Sequence, residues 1–144
     1  MTAEDLFSFA GTLVLPGWLL LVFLPRWRYS ATLISGFIIP VLLAVLYGWL
    51  IFDHMGASEG GYGTLAEVRT LFSNDFLLLA GWIHYLAFDL FIGSWEVRDS
   101  QRLGIHHLAV IPCLFLTFML GPVGLLVYLA IRAGWKRVVI LGNA

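Results

Sequence analysis

The chain has 144 residues, 60% of them apolar and 12% charged, with a net charge of −1. A mean hydropathy of +0.92 excludes a soluble globular domain of this length, which has too little interior to hide so much apolar surface. The near-zero charge gives no reason to expect nucleic acid as a partner. The single cysteine, Cys113, excludes an intrachain disulfide and argues against a cysteine metal cluster. What remains is one integral membrane domain over residues 1–144, an all-α polytopic four-helix bundle whose first partner is the lipid bilayer.

The first span is expected over about Leu6–Leu24, a length suited to a hydrocarbon core about 30 Å thick at ~1.5 Å per residue. Glu4 and Asp5 precede it with no Lys or Arg, which is not the flank of a cleaved signal. Pro16-Gly17 predicts a kink. Pro25 to Tyr29 reads as an interfacial turn, with Trp27 and Tyr29 at headgroup level and Arg26 and Arg28 reaching water. A second span follows over about Ala31–Phe52. Its Gly36, Pro40, Ala44 and Gly48 recur every four residues, which makes either a packing seam or a groove for a flat ligand. Asp53 to Ser73 is polar and glycine-rich, with a short interfacial helix expected over Thr64–Phe72. Asp53-His54-Met55 resembles a metal-ligand pair only loosely and reads as a solvated span end.

Ser73-Asn74-Asp75 supplies a capping side chain and a negative charge for the start of a third span, about Asp75–Trp95. A charged turn is expected over Ser94–Gly104. A fourth span then runs over about Ile105–Ile131, bent at Pro112 and Gly121-Pro122, before Gly134-Trp135-Lys136-Arg137 anchors a basic tail. Four spans put both termini on one side. The Lys/Arg residues then split evenly, Arg69, Arg132, Lys136 and Arg137 against Arg26, Arg28, Arg98 and Arg102, so the positive-inside rule gives no orientation.

Nearly all groups able to do chemistry lie between Asn74 and His107. A carboxylate within a span costs about 2.5–3.5 kcal/mol at the bilayer centre on insertion scales, so Asp89 is expected to face the bundle interior. It reads as a general acid or base, as a metal ligand, or as a structural partner of Arg98 or Arg102. His84 lies near the midplane and either acts on a substrate or hydrogen-bonds a neighbouring helix. The two are five residues apart, about 140° around a helix, and do not share a face. His106 and His107, at the start of the fourth span, are expected at the level of Asp89 and Asp99 and form with either an acid/base pair or a metal corner. Only one of the two adjacent histidines, about 100° apart, can face a given site. Trp82, Phe88, Phe91 and Trp95 are expected to wall an apolar groove leading toward His84, the usual lining for an elongated hydrocarbon ligand. Four histidines are too few for a histidine-box di-iron site, and no HExxH, P-loop or dinucleotide fingerprint is present.

Trp82-Ile83-His84, Ala87-Phe88-Asp89-Leu90-Phe91, Gly93-x-Trp95, Asp99-Ser100, Ile111-Pro112 and Leu116-Thr117-Phe118-Met119-x-Gly121-Pro122-x-Gly124 together resemble the membrane proteins related to plant abscisic-acid-deficient 4, the ABA4-like family. The likeness covers the second half of the chain by motif and the first half by hydropathy. It implies a role in carotenoid metabolism, where the plant members are required for making neoxanthin from violaxanthin. That conversion opens an epoxide to an allene and formally needs an acid and a base but no redox cofactor. The resemblance therefore implies a neoxanthin synthase-like isomerase. Its candidate acid/base groups are Asp89, His84, Asp99, His106 and His107, and its substrate contacts are Trp82, Phe88, Phe91, Trp95, Arg98 and Arg102. The expected ligand is a carotenoid or other apolar isoprenoid. The alternative is a non-catalytic carotenoid-binding or scaffold subunit that supports other carotenoid enzymes. The N-terminal stretch reads as a first span rather than a plastid-targeting extension and resembles the bacterial members, so the bacterial inner membrane is the expected location.

Overall fold

The computed structural model describes residues 1–137 and 139. Among them the chain is all-α. Helix α1 spans Ala3–Phe23, α2 Ile39–His54, α3 Leu65–Leu71, α4 Asp75–Leu103, α5 His107–Leu120 and α6 Pro122–Lys136. Three stretches are long and apolar enough to cross a membrane: α1, the continuous helical stretch Ser30–Ala57 that contains α2, and α4.

Local chemistry accounts for most boundaries. Thr2 and Asp5 close a reciprocal capping box at the start of α1. Residues Ser30–Ile38 form a π-helix that leads into α2. Pro40 accounts for this wide turn, since it lacks a donor and its ring would meet the Gly36 carbonyl in a regular α-helix. Thr64 caps α3, and Asn74 caps α4 by accepting from the Phe76 and Leu77 amides.

Close backbone approach holds the three spans together. A Cβ on Gly17 of α1 would lie 2.8 Å from Leu90 of α4, and one on Gly93 of α4 would lie 2.7 Å from Trp18. Ser35 Oγ donates to the Gly17 carbonyl at 2.9 Å and ties the π-helix to α1. Of the four-residue stripe on the second span, only Gly36 behaves as a seam, with Ser94 3.1 Å from its would-be Cβ. Ala44 and Gly48 are exposed, and α2 instead buries Ile39, Leu43 and Leu50.

The second half departs from expectation in two ways. First, the charged turn over Ser94–Gly104 is helical. The third span does not end at Trp95, because α4 runs on to Leu103 and stops at Gly104 in the left-handed region (φ 64°). The charges that read as a turn lie on this extension, and Glu96, Asp99 and Ser100 face inward. Second, the stretch expected as one span over 105–131 is a helical hairpin. The chain reverses at Gly121 (φ 45°, ψ −98°), and Pro122 opens α6 at a position where its missing donor costs nothing. The tip lies against Asp89, since a Cβ on Gly121 would be 2.9 Å from Asp89 Oδ1. From there α6 travels back along α4, placing Arg132 on Asp99 and Lys136 Nζ 3.8 Å from a would-be Cβ on Gly104. Each arm, 14 and 15 residues long, reaches ~21–23 Å, short of the ~30 Å core.

This reversal moves the basic tail to the other side. The C-terminal end of α4 sits beside the end of α1, where Gln101 Nε2 donates to the Pro25 carbonyl at 2.6 Å and His107 Nε2 to the Val22 carbonyl at 2.9 Å. Arg26, Arg28, Arg98, Arg102, Arg132, Lys136 and Arg137 therefore share one end of the molecule, against Arg69 at the other. The even split becomes seven to one, for which the positive-inside rule predicts that the basic end lies on the cytoplasmic side or its organellar equivalent. In a Cys113→Ser background, single cysteines at Trp27 and Trp135 are expected to react with an impermeant thiol reagent from the same side, and one at Gly60 from the opposite side. Joint labelling of positions 60 and 135 would mean that the last stretch crosses the membrane.

Candidate functional site

The helical period of α4 brings Tyr85, Asp89, Glu96 and Asp99 within about 80° of one another around its axis. The hairpin meets each of them.

Nearest the basic end, Asp99 is saturated. Its Oδ1 accepts from Arg102 Nη2 at 2.8 Å, and its Oδ2 accepts from Tyr128 Oη and Arg132 Nε, each at 2.8 Å. Tyr128 is 0% and Arg132 1% exposed, so the bond between Asp99 and α6 is shielded from water. Trp95 closes it from one side, edge-on to the Tyr128 ring at 5.4 Å. Deeper in, Glu96 is 0% exposed. Its Oε1 accepts from Thr117 Oγ1 of α5 at 3.0 Å, and its Oε2 has no hydrogen-bond partner. At the hairpin tip, Asp89 lies against Gly121 with its Oδ2 buried and unpartnered. The Tyr85 hydroxyl stands beside it and donates to the Phe118 carbonyl at 2.7 Å. Three carboxyl groups thus line one stripe, and only Asp99 takes a cation.

Outside the stripe, two apolar grooves run along the contact between α1 and α4. One of about 780 Å³ begins at the membrane surface with Thr2, Glu4 and Asp75 and descends past Phe7 and Trp82 to Tyr85. The other, about 570 Å³, continues from Phe7, Trp82 and Tyr85 past Gly11 to Phe118 and Met119 at the hairpin tip. Phe7, Trp82 and Tyr85 wall both, so the two form one track. Tyr85 is the residue that touches the track on one side and Asp89 on the other.

The residues singled out in the sequence scatter around this arrangement. Asp89 and Asp99 are on the stripe, and Trp82 lines the track. Asp89 does not pair with Arg98, Arg102, His106 or His107; Arg102 belongs to Asp99, and Arg98 Nε donates to the Ser94 carbonyl at 3.3 Å. His84 faces away from Asp89, stacked on Phe88 at 4.6 Å and edge-on to Tyr47 at 5.8 Å. Trp82, Phe88, Phe91 and Trp95 do not together wall a groove toward His84, since Phe88 and Phe91 point outward and Trp95 packs on Tyr128; His84 instead lines a separate pocket of about 520 Å³ with Tyr47, Tyr62 and Phe72. His106 and His107 sit beyond the end of α4, fourteen residues or ~21 Å along the helix from Asp89, not at its level. Asp53 and His54 are 3.6 Å apart, and His54 stacks on Phe76. Tyr85, Thr117, Tyr128 and Arg132 were not anticipated as site residues. The one signal available for the last two was Gly124-Tyr128-Arg132 at four-residue spacing, the buried face of α6.

A family model described as ABA DEFICIENT 4-like matches residues 5–128. The chain belongs to the ABA DEFICIENT 4-like family. Among curated proteins it is similar to Protein ABA DEFICIENT 4, chloroplastic, of Arabidopsis thaliana. The two are 25% identical over 141 residues, covering 91% of this chain and 62% of the relative. The chain therefore spans about three-fifths of the length of that ABA DEFICIENT 4 protein. No solved structure matches it. The region matched by the ABA DEFICIENT 4-like model contains Tyr85, Asp89, Glu96, Asp99 and Tyr128 and ends four residues before Arg132.

The Asp99 cluster makes a graded prediction for stability. Arg132→Met removes a buried partner and leaves a buried carboxylate poorly compensated, a loss of about 3–5 kcal/mol. Arg102, whose side chain is 41% exposed, is worth about 1 kcal/mol or less. Unfolding in detergent is expected to rank Arg132→Met well below Arg102→Ala. Equal losses would mean that the hairpin is not held at Asp99.

Proposed function

We propose that this protein takes one end of an elongated apolar polyene, a carotenoid or related isoprenoid, into the track between α1 and α4, and isomerises it by proton transfer at Asp89 and Tyr85. The carrying observation is the junction at Tyr85, where an apolar track meets a carboxyl group with one buried, unpartnered oxygen. Along α1 the track extends from Thr2 to Leu15, about 20 Å of helix, and it opens toward lipid, from which an apolar substrate arrives. Membership of the ABA DEFICIENT 4-like family directs the choice of carotenoid.

The chemistry closes without a co-reactant. Opening an epoxide to an allene breaks a C–O bond as the oxygen takes a proton, and a proton leaves a polyene carbon to form the new double bond. Nothing is oxidised or reduced. A single carboxyl group that gives the first proton and takes the second ends in its starting state, with Tyr85 as the hydroxyl through which it reaches the track. His84, His106 and His107 have no part in this reading.

A second reading has its own support. Asp89 does not line the track directly, and Tyr85 stands between them. An arrangement of that kind also suits a protein that holds a carotenoid for another membrane enzyme without altering it.

Two substitutions separate the readings. Gly11 lines the track and has nothing within 4 Å of a would-be Cβ, so Gly11→Leu directs a side chain into the track with no clash at its Cβ and improves helix propensity by a few tenths to about 1 kcal/mol. It is expected to abolish pigment co-purification and the cellular pigment change in either reading. Asp89→Asn and Tyr85→Phe, at matched membrane levels, are expected to lower conversion by 10²-fold or more while pigment still binds, and His84→Ala is expected to change neither. If Asp89→Asn leaves the pigment profile intact while Gly11→Leu does not, binding without catalysis is the function.

A further inference from the structure

The basic end of the molecule carries a second groove, separate from the track and independent of the proposed reaction. It is about 790 Å³ in volume and lies between the end of α1 and the start of α5. We infer that it holds the phosphate headgroup of an anionic phospholipid from the leaflet on the basic side.

The walls divide by chemistry. Arg26, Gln101, His106 and His107 line the groove together with Val22, Phe23, Leu108 and Ile111, and no carboxylate lines it. Two of the polar groups are occupied in building the walls. Gln101 Nε2 donates to the Pro25 carbonyl, and His107 Nε2 donates to the Val22 carbonyl, seating the first turn of α5 on the end of α1. The other two have donors to spare. His106 accepts the Leu108 amide on Nδ1, so its neutral ring carries the proton on Nε2 and presents a donor. Arg26 is exposed and makes no ion pair among the described residues. An acceptor-rich anion fits between them, and no protein group competes for it.

The apolar wall selects the source of that anion. Phe23 and Leu108 are exposed on the lipid-facing surface of the same groove, where acyl chains attached to the headgroup would lie. A free phosphate gains nothing from these side chains. The groove also sits at the end holding seven of the eight Lys and Arg residues, the side on which anionic headgroups meet basic pockets between spans. In this assignment His107 builds the wall and His106 faces the ligand, in place of the acid/base pair or metal corner with Asp89 or Asp99 that the sequence suggests.

The test is lipid retention by the purified full chain, read by native mass spectrometry after exchange into mixed micelles of phosphatidylglycerol and phosphatidylcholine. Phosphatidylglycerol is expected to be retained in preference, and inorganic phosphate at equal concentration is expected not to displace it. Arg26→Gln is expected to weaken retention about fivefold, the worth of one cation near a membrane surface. His106→Asn keeps a capping acceptor for α5 and is expected to weaken it further when combined with Arg26→Gln. Arg69→Gln, at the opposite end, is expected to leave it unchanged, and unfolding temperatures of all three variants verify folding. Equal retention of phosphatidylcholine, indifference to Arg26→Gln, or displacement by inorganic phosphate would each overturn the assignment.

Discussion

The bond between Asp99 and the returning helix is the constraint on which the second half of the molecule depends. Asp99 receives Tyr128 and Arg132 on one oxygen, both out of contact with water. Neither charge tolerates a low-dielectric interior alone, so each makes the other's position obligatory. Without this pairing, nothing in hydropathy prevents residues 105–131 from crossing the membrane as a single helix. With it, α6 must run back beside α4. Gly124 allows the two arms to touch backbone to backbone, since a Cβ there would lie 2.1 Å from the Thr117 amide nitrogen. The reversal at Gly121 places a chain turn, with its polar backbone, at the depth of Asp89 rather than at a surface. Such a turn within a membrane protein is tolerated where protein encloses it, and Asp89, Tyr85 and the Phe118 carbonyl surround it.

From this follows the division of labour among the three carboxyl groups. Asp99 is a structural group, fully engaged with cations and hydroxyls. Glu96 is tied to α5 through Thr117 and closed off from the surface. Asp89 alone reaches, through Tyr85, a track that opens to lipid. The hairpin thus does two things at once, carrying the basic tail to the end of the molecule shared with Arg26 and Arg102, and carrying its own tip to Asp89, which Tyr85 joins to a hydrocarbon-lined passage.

Much of the first half was legible because local signals settle it. Apolar runs of spanning length, Pro25 to Tyr29 at the interface, Thr64 before α3 and Asn74 before α4 each act within a few residues. The end of α4 was not, because Glu96, Arg98, Asp99 and Arg102 read as solvated charge. Their spacing of three and four residues is nevertheless that of a helix, and Gly104 is an ordinary helix stop. The hairpin was harder still. Gly121-Pro122 was recognisable as a bend, but a bend and a reversal differ only through contacts made elsewhere, by Tyr128 and Arg132 on a residue 29 and 33 positions earlier. Tyr85 and Thr117 carry no signal of their own, since a tyrosine and a threonine in apolar runs are common. The track followed Tyr85 rather than His84 because one residue along a helix turns the side chain by about 100°.

The most direct measurement of the reversal is the distance between spin labels at Gln101 and Trp135, both on exposed positions, in a Cys113→Ser background. A continuous span from residue 105 would separate them by ~45 Å of helix rise. The hairpin predicts a distance below half of that, because Lys136 returns to Gly104. A distribution centred near the longer value, in lipid, would contradict the account.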